Sequence, residues 1–159
     1  MTRNANDDDL YAIDALTERF FALFTQSPEK SVDLLPIHDL FVAQGMLIKA
    51  VSGSTEIYTL QQFIEPRLRL LNSGELTGFC EQEISARTDI YGNVAQRFSV
   101  YRKTGILRGA SFASSGTKTL QFVRFDSVWK LTCVAWDDDR DASEFPISVT
   151  THDNAVASA

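Results

Sequence analysis

The feature that most constrains this 159-residue chain is a change of pattern at Gly74. Before it, apolar residues recur at helical spacing, most clearly along 10–24, where one apolar stripe faces away from acidic residues. After it, the residue types favour strands near 78–89, 93–104, 117–125 and 128–137. Helices followed by an antiparallel meander indicate an α+β fold, with helices covering one face of a sheet.

Local signals divide the first half of the chain. Thr59 and Gln62 match a capping box, in which each side chain satisfies a free amide of the first helical turn. Pro36 predicts a break in the preceding helix, and Pro66 predicts either a kink or a later helix start. The Gly- and Ser-rich segment 104–116 predicts a long loop between strands. The expected elements of the first half are helices near 8–26, 28–42 (broken) and 59–73, and a strand near 46–51.

Composition and charge exclude several classes of protein. Fifteen basic and 21 acidic side chains give a net charge of −6, which speaks against nucleic acid as a partner. No apolar run approaches the roughly 20 residues that a membrane span needs, and the first residues lack the apolar core of a signal peptide. We therefore expect a cytoplasmic protein without a membrane partner. One domain is expected over 8–140, between a flexible N-terminus (1–7) and a polar tail (141–159).

Strong catalytic motifs are absent from the sequence. It has no Gly-rich phosphate loop, no paired CxxC, no HExxH and no GxSxG. His38 and His152 are the two histidines, and His152 falls in the expected tail. A histidine metal site is therefore not expected, a Ser–His–Asp triad would have to use His38, and no cofactor is expected.

Polar residues inside the predicted strands are more informative. Glu81 and Glu83 share one face of the first meander strand, and Arg97, Ser99 and Tyr101 share one face of the second. One interpretation is a pair of charged rows on a solvated face. The other is the polar wall of a ligand cavity, where burial can raise the pKa of a glutamate toward that of a working general base.

The register of this hairpin stays open. A turn at Tyr91-Gly92 would place Glu81 opposite Arg102, whereas a turn one residue longer would place it opposite Tyr101. A one-residue slip moves every side chain to the other face of the sheet. In either register Arg97 is expected to pair with a glutamate or a bound anionic group at the edge of a cavity.

The last hairpin is expected to turn at Asp126-Ser127. This turn places Arg124 beside Trp129, which favours a cation–π contact at the edge of the sheet. The face that carries Gln121 and Trp136 is mixed, and such a surface suits a pocket or a subunit contact.

Several strings resemble the nuclear transport factor 2-like superfamily, and within it the group that includes SnoaL-like polyketide cyclases. The resemblance covers about 8–140, and its most distinctive parts are Phe79-x-Glu81-x-Glu83-Ile84, Tyr91-Gly92-Asn93-Val94-Ala95, and Trp129-x-Leu131 followed by Trp136. It implies a cystatin-like cone, in which a strongly curved antiparallel sheet wraps about three N-terminal helices. The expected apolar wall of this cone is formed by Phe20, Phe24, Phe63 and Phe79.

The same resemblance implies a pocket for a small apolar or weakly anionic molecule, used by isomerases, dehydratases and cyclases for acid–base chemistry. The alternative that it leaves open is a non-catalytic dimeric binding or protein-interaction module. Arg97 or Tyr101 would stabilise a developing enolate, and Trp136 would pack on the ligand. The candidate site residues are Glu83 and Glu81 as catalytic bases, and Arg97, Tyr101, Trp136, His38 and Tyr58 as ligand-binding residues.

Self-association is expected from the second meander strand. Val94, Phe98 and Val100 give it an apolar face, and Ala95 and Tyr101 give it apolar residues on the other. Apolar residues on both faces are unusual for a sheet with one solvated side. This pattern predicts a homodimer that buries part of the outer face of the meander.

Overall fold

The structure is a computed structural model that describes residues 4–139. It confirms the expected α+β class, with helices followed by a six-stranded sheet. Helix α1 begins before the expected residue 8, and the tail 141–159 lies outside the described residues. The elements are α1 (Ala5–Ala22), α2 (Ile37–Leu40), β1 (Phe41–Lys49), β2 (Glu56–Thr59), α3 (Leu60–Asn72), β3 (Leu76–Tyr91), β4 (Val94–Leu107), β5 (Ala110–Phe125) and β6 (Val128–Asp138).

The sheet has the strand order β2-β1-β6-β5-β4-β3, and its neighbouring strands are antiparallel except for β1 and β6. Helix α3 contacts β1 and β2 at one edge of the sheet and β3 at the other. Because one helix reaches both edges, the sheet must curl around it without closing. The core lies inside this curl, as the expected cone requires.

Helix α1 presents the predicted apolar stripe to the sheet. Ile13, Leu16 and Phe20 are buried, and the helix packs against β3 and β6. Its exposed face carries acidic residues, including Asp7 and Asp8 in the first turn, where the positive end of the helix dipole favours them. Within the described residues, no helix is long and apolar enough to cross a membrane.

Gln26 fixes the positions of α1, α3 and β3 relative to one another. Its Nε2 donates to the carbonyls of Leu71 and Leu76, both at 2.7 Å, and its Oε1 accepts from the Phe79 amide at 2.8 Å. One half-buried amide therefore satisfies backbone groups from the end of α3 and the start of β3. The space between these elements becomes the cavity described below.

The second expected helix was largely wrong. Only Ile37–Leu40 of the segment 28–42 is helical, and β1 already begins at Phe41 rather than at residue 46. The reason is long-range: the side-chain amide of Asn72 bonds both the N–H and the carbonyl of Val32, at 3.0 and 3.1 Å. These bonds hold the segment in a non-helical conformation, and Pro36 removes a further amide.

Helix α3 confirms the capping box. The Thr59 hydroxyl accepts from the Gln62 amide at 3.2 Å, and the Gln62 side chain accepts from the Thr59 amide at 3.0 Å. Pro66 lies inside the helix, so the later start is excluded. Gly74 follows the helix with φ of 83°, a conformation that favours glycine directly after a helix. The short strand β2, directly before the cap, was not predicted.

The predicted loop at 104–116 was also wrong, because β4 and β5 continue through it to a tight turn at Arg108 and Gly109. Gly109 lies in that turn with a positive φ, whereas at Gly105 and Gly116 neighbouring atoms occupy the space of a side chain. A Cβ on Gly116 would overlap the hydroxyl of Tyr101, its partner across the sheet. Close approach, not chain flexibility, explains this glycine.

Both registers considered for the first hairpin were wrong. The turn is Gly92-Asn93, Tyr91 pairs with Val94, and Glu81 lies opposite Lys103. The strand β3 also contains a bulge, because Glu83 and Ser85 pair with consecutive residues of β4. The bulge ends the inward-facing row that begins with Glu81, so that Ser85 is exposed.

The last hairpin confirms the turn at Asp126-Ser127 and the neighbours Arg124 and Trp129, whose guanidinium and ring centroid are 4.9 Å apart. Beyond Phe122 a bulge at Thr132 shifts the register by one residue. This shift places Trp136 opposite Lys118 and turns it into the core, although simple alternation predicted it on the face of Gln121.

Candidate functional site

A cavity of about 300 Å³ lies inside the curl of the sheet, between α1, α3 and strands β3 to β6. This volume is at the lower end of small-molecule sites, which span roughly 300–1,000 Å³. The predicted apolar wall is confirmed, and two further aromatic residues complete it. The aromatic wall consists of Phe20, Phe24, Phe63, Phe79, Phe112 and Trp136.

Four aromatic rings of this wall, those of Phe20, Phe24, Phe63 and Trp136, pack edge to face, whereas Phe79 and Phe112 are tilted by 34°. Phe63 is central, with its ring centroid 5.9 Å from that of Phe24 and 6.0 Å from that of Trp136. Such contacts fix ring orientations and leave the cavity with defined walls. An apolar ligand of matching shape would therefore meet a preformed surface.

Glu81 and Lys118 form a buried ion pair in this wall. Their side chains are only 9% and 7% exposed, and Nζ of Lys118 lies 2.6 Å from Oε1 of Glu81. The direction of approach falls outside hydrogen-bond geometry, so this buried oxygen has a charge partner but no aligned donor. Because Glu81 lines the cavity, its carboxylate lies where it can contact a bound molecule.

Aromatic rings surround the ammonium group of Lys118. Its Nζ lies 4.1 Å from the ring centroid of Tyr101, 5.0 Å from that of Trp136 and 5.8 Å from that of Phe21. Burial lowers the pKa of Lys118, and the neighbouring Glu81 carboxylate opposes that shift. The ring faces and the carboxylate together hold a cation where no bulk water solvates it.

Tyr101 forms the floor between these charges and Asp138. Its hydroxyl is buried and donates to Oδ1 of Asp138, while Lys103 contacts Oδ2 of the same carboxylate at 2.7 Å. Burial and the Asp138 carboxylate both raise the pKa of Tyr101. Burial alone would raise the pKa of Asp138, but the bonds from Lys103 and Tyr101 lower it overall. The hydroxyl of Tyr101 therefore keeps its proton and donates it in a hydrogen bond to Asp138.

Arg67 brings another cation to the cavity from α3. Its guanidinium lies over the rings of Phe63 and Trp136, at 5.1 and 5.7 Å from their centroids. Burial lowers the pKa of Arg67, against the weaker opposing effect of Glu81 and other acidic groups. Within residues 4–139 it has no hydrogen bond or ion pair with a carboxylate.

A second polar cluster lies farther along β3 and β4, beneath α1. Nε of Arg97 donates to Oε2 of Glu83 at 2.9 Å, and Nη1 donates to Asp14 at 2.6 Å and to Thr88 at 2.8 Å. The buried hydroxyl of Ser99 donates to the same Glu83 oxygen at 2.6 Å. Burial alone would lower the pKa of Arg97, but its bonds to Glu83 and Asp14 raise it overall. We call this the Arg97 cluster.

The structure brings some of the predicted site residues together and separates others. Glu81, Tyr101 and Trp136 line the cavity. Arg97 pairs with a glutamate as expected, but Glu83 and Arg97 are not among the residues that line the cavity. Their assigned roles in catalysis and ligand binding stay predictions.

The two remaining candidates lie elsewhere. His38 is exposed and borders a surface groove beside α3, away from the aromatic wall. Tyr58 packs edge to face on Phe63 from outside the cavity lining, with ring centroids 6.2 Å apart, and its hydroxyl donates to Glu56. Both ligand-binding assignments stay predictions.

Sequence reasoning missed the three cations of the cavity: Arg67, Lys103 and Lys118. Two of them carried a signal, because Lys118 alternates with the apolar Leu120 on β5, and Lys103 continues the row of Tyr101 on β4. Arg67 lies one helical turn after Phe63, which places both on one face of α3. Within the described residues, no group of three or more His, Cys, Asp or Glu side chains could hold a metal ion.

The curled sheet matches known structures over most of its length. A nuclear transport factor 2-like superfamily protein from Salmonella enterica aligns with a TM-score of 0.64 and 13% identity, covering 84% of this chain and 94% of that one. The chain has the nuclear transport factor 2-like fold. This fold is the cone that the sequence predicted, and the sequence itself matches no family model and no curated protein.

Proteins with this nuclear transport factor 2-like fold include enzymes. A hexachlorocyclohexane dehydrochlorinase (LinA, type 2) aligns with a TM-score of 0.65 and 13% identity, covering 83% of this chain and 86% of that one. A candidate ketosteroid isomerase from Shewanella frigidimarina aligns with a TM-score of 0.60 and 20% identity, covering 79% of this chain and 94% of that one. At these identities the likeness establishes the fold alone.

Proposed function

We propose that this protein binds a small, mainly apolar molecule in its cavity and catalyses acid–base chemistry on it, as an isomerase, dehydratase or cyclase of the SnoaL-like kind. The observation that carries this proposal is the buried pair of Glu81 and Lys118 in an otherwise aromatic wall. Burying two charges is costly, and a cavity that faces them gives the arrangement a use beyond stability.

In this proposal Glu81 is the base. Its carboxylate removes a proton from a carbon next to a carbonyl group of the ligand, and the same group returns the proton at another carbon. Lys118 stabilises the negative charge that develops on the carbonyl oxygen, which is worth more where water is excluded. Trp136 packs on the apolar body of the ligand, and Tyr101 holds the strand and the ammonium group in place.

Glu81 is favoured over Glu83 as the base because of their different surroundings. The carboxylate of Glu83 accepts from Arg97 and from Ser99, so its oxygens are engaged. The buried Oε1 of Glu81 has no aligned donor and its side chain lines the cavity. A base must lie within reach of the proton that it removes, and of these two carboxylates only that of Glu81 lines the cavity.

The test uses 2-tetralone, a bicyclic ketone with exchangeable protons beside its carbonyl. We expect the protein to accelerate exchange of these protons in D₂O, followed by NMR. Glu81→Gln should lose about 10²- to 10⁴-fold of that acceleration, since it removes the base with little change of volume. Glu75→Gln, at an exposed carboxylate just before β3, is the matched control and should retain full activity.

Glu83→Gln separates the two predicted bases. If a folded Glu83→Gln variant retains exchange activity, Glu81 is supported as the base. If Glu83→Gln loses the activity and Glu81→Gln retains it, Glu83 is the base instead. Binding of 2-tetralone without any acceleration by the wild-type protein would reject the enzymatic role and favour the non-catalytic binding module.

We infer in addition that the protein forms a homodimer through the outer face of β4. Val94 and Phe98 are exposed there, at 52% and 39%. Exposed apolar residues on a sheet face that no helix covers are typical of a subunit contact. Sedimentation velocity should give a dimer at micromolar concentration and a monomer for Phe98→Lys. A wild-type monomer would contradict this inference.

A further inference from the structure

The cavity holds more positive charge than its own acidic groups balance. Among residues 4–139, its lining includes the cations Arg67, Lys103 and Lys118 but only one carboxylate, Glu81. Lys118 is paired with Glu81, and Lys103 is paired with Asp138 behind the wall. Arg67 is the cation that remains, in a chain whose net charge is −6.

The placement of Arg67 is unusual for an arginine of a negatively charged protein. Its guanidinium stacks over Phe63 and Trp136 and has no carboxylate partner within residues 4–139. Arg67 is half-buried, and a charged group is rarely withdrawn from water even in part without a partner. Ring faces compensate only part of that loss, so the group remains able to bind an anion.

Arg67 and Lys118 both lie over the indole ring of Trp136. Their cationic groups lie 5.7 and 5.0 Å from the ring centroid of Trp136. Burial first lowers the pKa of Lys118, and the positive charge of Arg67 adds to that shift. An anion bound at Arg67 would relieve this repulsion, and it would hold the rest of the molecule beside the Glu81–Lys118 pair.

We propose that the cavity is specific for an apolar molecule that carries a single carboxylate, and that Arg67 binds this carboxylate. The proposal rests on the proposed function, since it concerns the ligand of the same cavity. A carboxylate fits because the planar guanidinium donates two parallel hydrogen bonds to it. One uncompensated charge matches a monoanion, whereas a phosphate dianion would leave negative charge unpaired among aromatic rings.

The experiment compares two probes of the same shape, 1-naphthaleneacetate and its neutral amide, 1-naphthaleneacetamide. Isothermal titration calorimetry with the full chain should show the carboxylate binding about ten- to a hundredfold more tightly than the amide. Arg67→Gln should abolish this preference by weakening the carboxylate and leaving the amide unchanged. Arg69→Gln is the matched control, because Arg69 is exposed on the same helix and lies outside the cavity lining.

Two further measurements distinguish a buried contact from general attraction. The preference for the carboxylate should persist in about 0.5 M salt. At this ionic strength, attraction between exposed charges is screened beyond a few ångströms, whereas a contact in the cavity is screened much less. Arg67→Lys should keep part of the preference, since it retains the charge but loses the paired donors. This variant also tests the proposal if Arg67→Gln does not fold.

Equal binding of the two probes, or a preference that survives Arg67→Gln, would overturn the proposal. If the amide binds as tightly as the carboxylate and exchange of 2-tetralone still depends on Glu81, only the carboxylate specificity fails and the proposed function stands. If neither probe binds at millimolar concentration, the specificity and the role of the cavity as a binding site are both rejected.

Discussion

Two ionic groups lie on the inner face of the sheet, one between β3 and β4 and the other between β3 and β5, and their surroundings differ. In the Arg97 cluster the guanidinium is bonded to Glu83, Asp14 and Thr88. In the cavity, the 2.6 Å contact between Lys118 and Glu81 is not aligned as a hydrogen bond. The hydrogen-bonding groups of the first cluster are used within the cluster, whereas the second pair lines a cavity.

This difference distinguishes the two groups more clearly than burial does. Arg97 and Lys118 are almost equally buried, at 8% and 6% exposed. A satisfied network ties α1 to the sheet and specifies the fold. A partly satisfied pair is retained against its cost in stability, which is typical of sites that act on a ligand.

The largest expected effect is on the Arg97 cluster. Arg97→Met should lower the free energy of unfolding by about 3 kcal/mol or more, because it leaves Glu83 without its paired donor. Urea denaturation measures the change. Arg87→Met is the control: its ion pair with Asp89 is exposed, and its loss should change stability by at most about 0.5 kcal/mol. Equal effects of the two variants would show that the Arg97 cluster contributes no more to stability than an exposed ion pair.

A smaller effect is expected in the cavity. Lys118→Met should cost about 2 kcal/mol by leaving Glu81 buried without its cation, next to a cavity that water can enter. The double variant with Glu81→Gln should recover most of this loss, since no buried charge then remains. A double-mutant cycle of unfolding free energies gives the coupling. A double variant less stable than Lys118→Met would show that the pair supports the fold rather than the site.

The smallest effect concerns the floor of the cavity and depends on pH. Burial raises the pKa of Asp138, but the bonds from Lys103 and Tyr101 outweigh it and hold that pKa below the ordinary 3.8. Its contribution to stability is therefore complete above pH 3.8 and is lost as the pH falls through the lower folded value. Asp138→Asn should cost about 1 kcal/mol at pH 7, and this difference from wild type should shrink on acidification. A difference that is constant from pH 7 to pH 2 would contradict the assignment.

Much of the fold was predictable because its signals are local. The stripe of α1, the capping box at Thr59 and the turn at Asp126-Ser127 each depend on residues that are neighbours in sequence. The aromatic wall followed from apolar residues at helical spacing and from the resemblance to the nuclear transport factor 2-like superfamily. These features determined the class of the fold and the presence of a cone.

The candidate site was predicted only in part, because it depends on register. Glu81, Tyr101 and Trp136 were named, but bulges at Ile84 and Thr132 decide which of their neighbours turn inward. Lys118 meets Glu81, and Arg67 reaches Trp136, only after a curled sheet joins residues far apart in the chain. The sequence by itself determined the helices, the meander and the polar rows on its strands. The tertiary structure alone decided which polar groups satisfy one another and which face the cavity, because hydrogen-bond geometry is set by strand pairing and not by residue type.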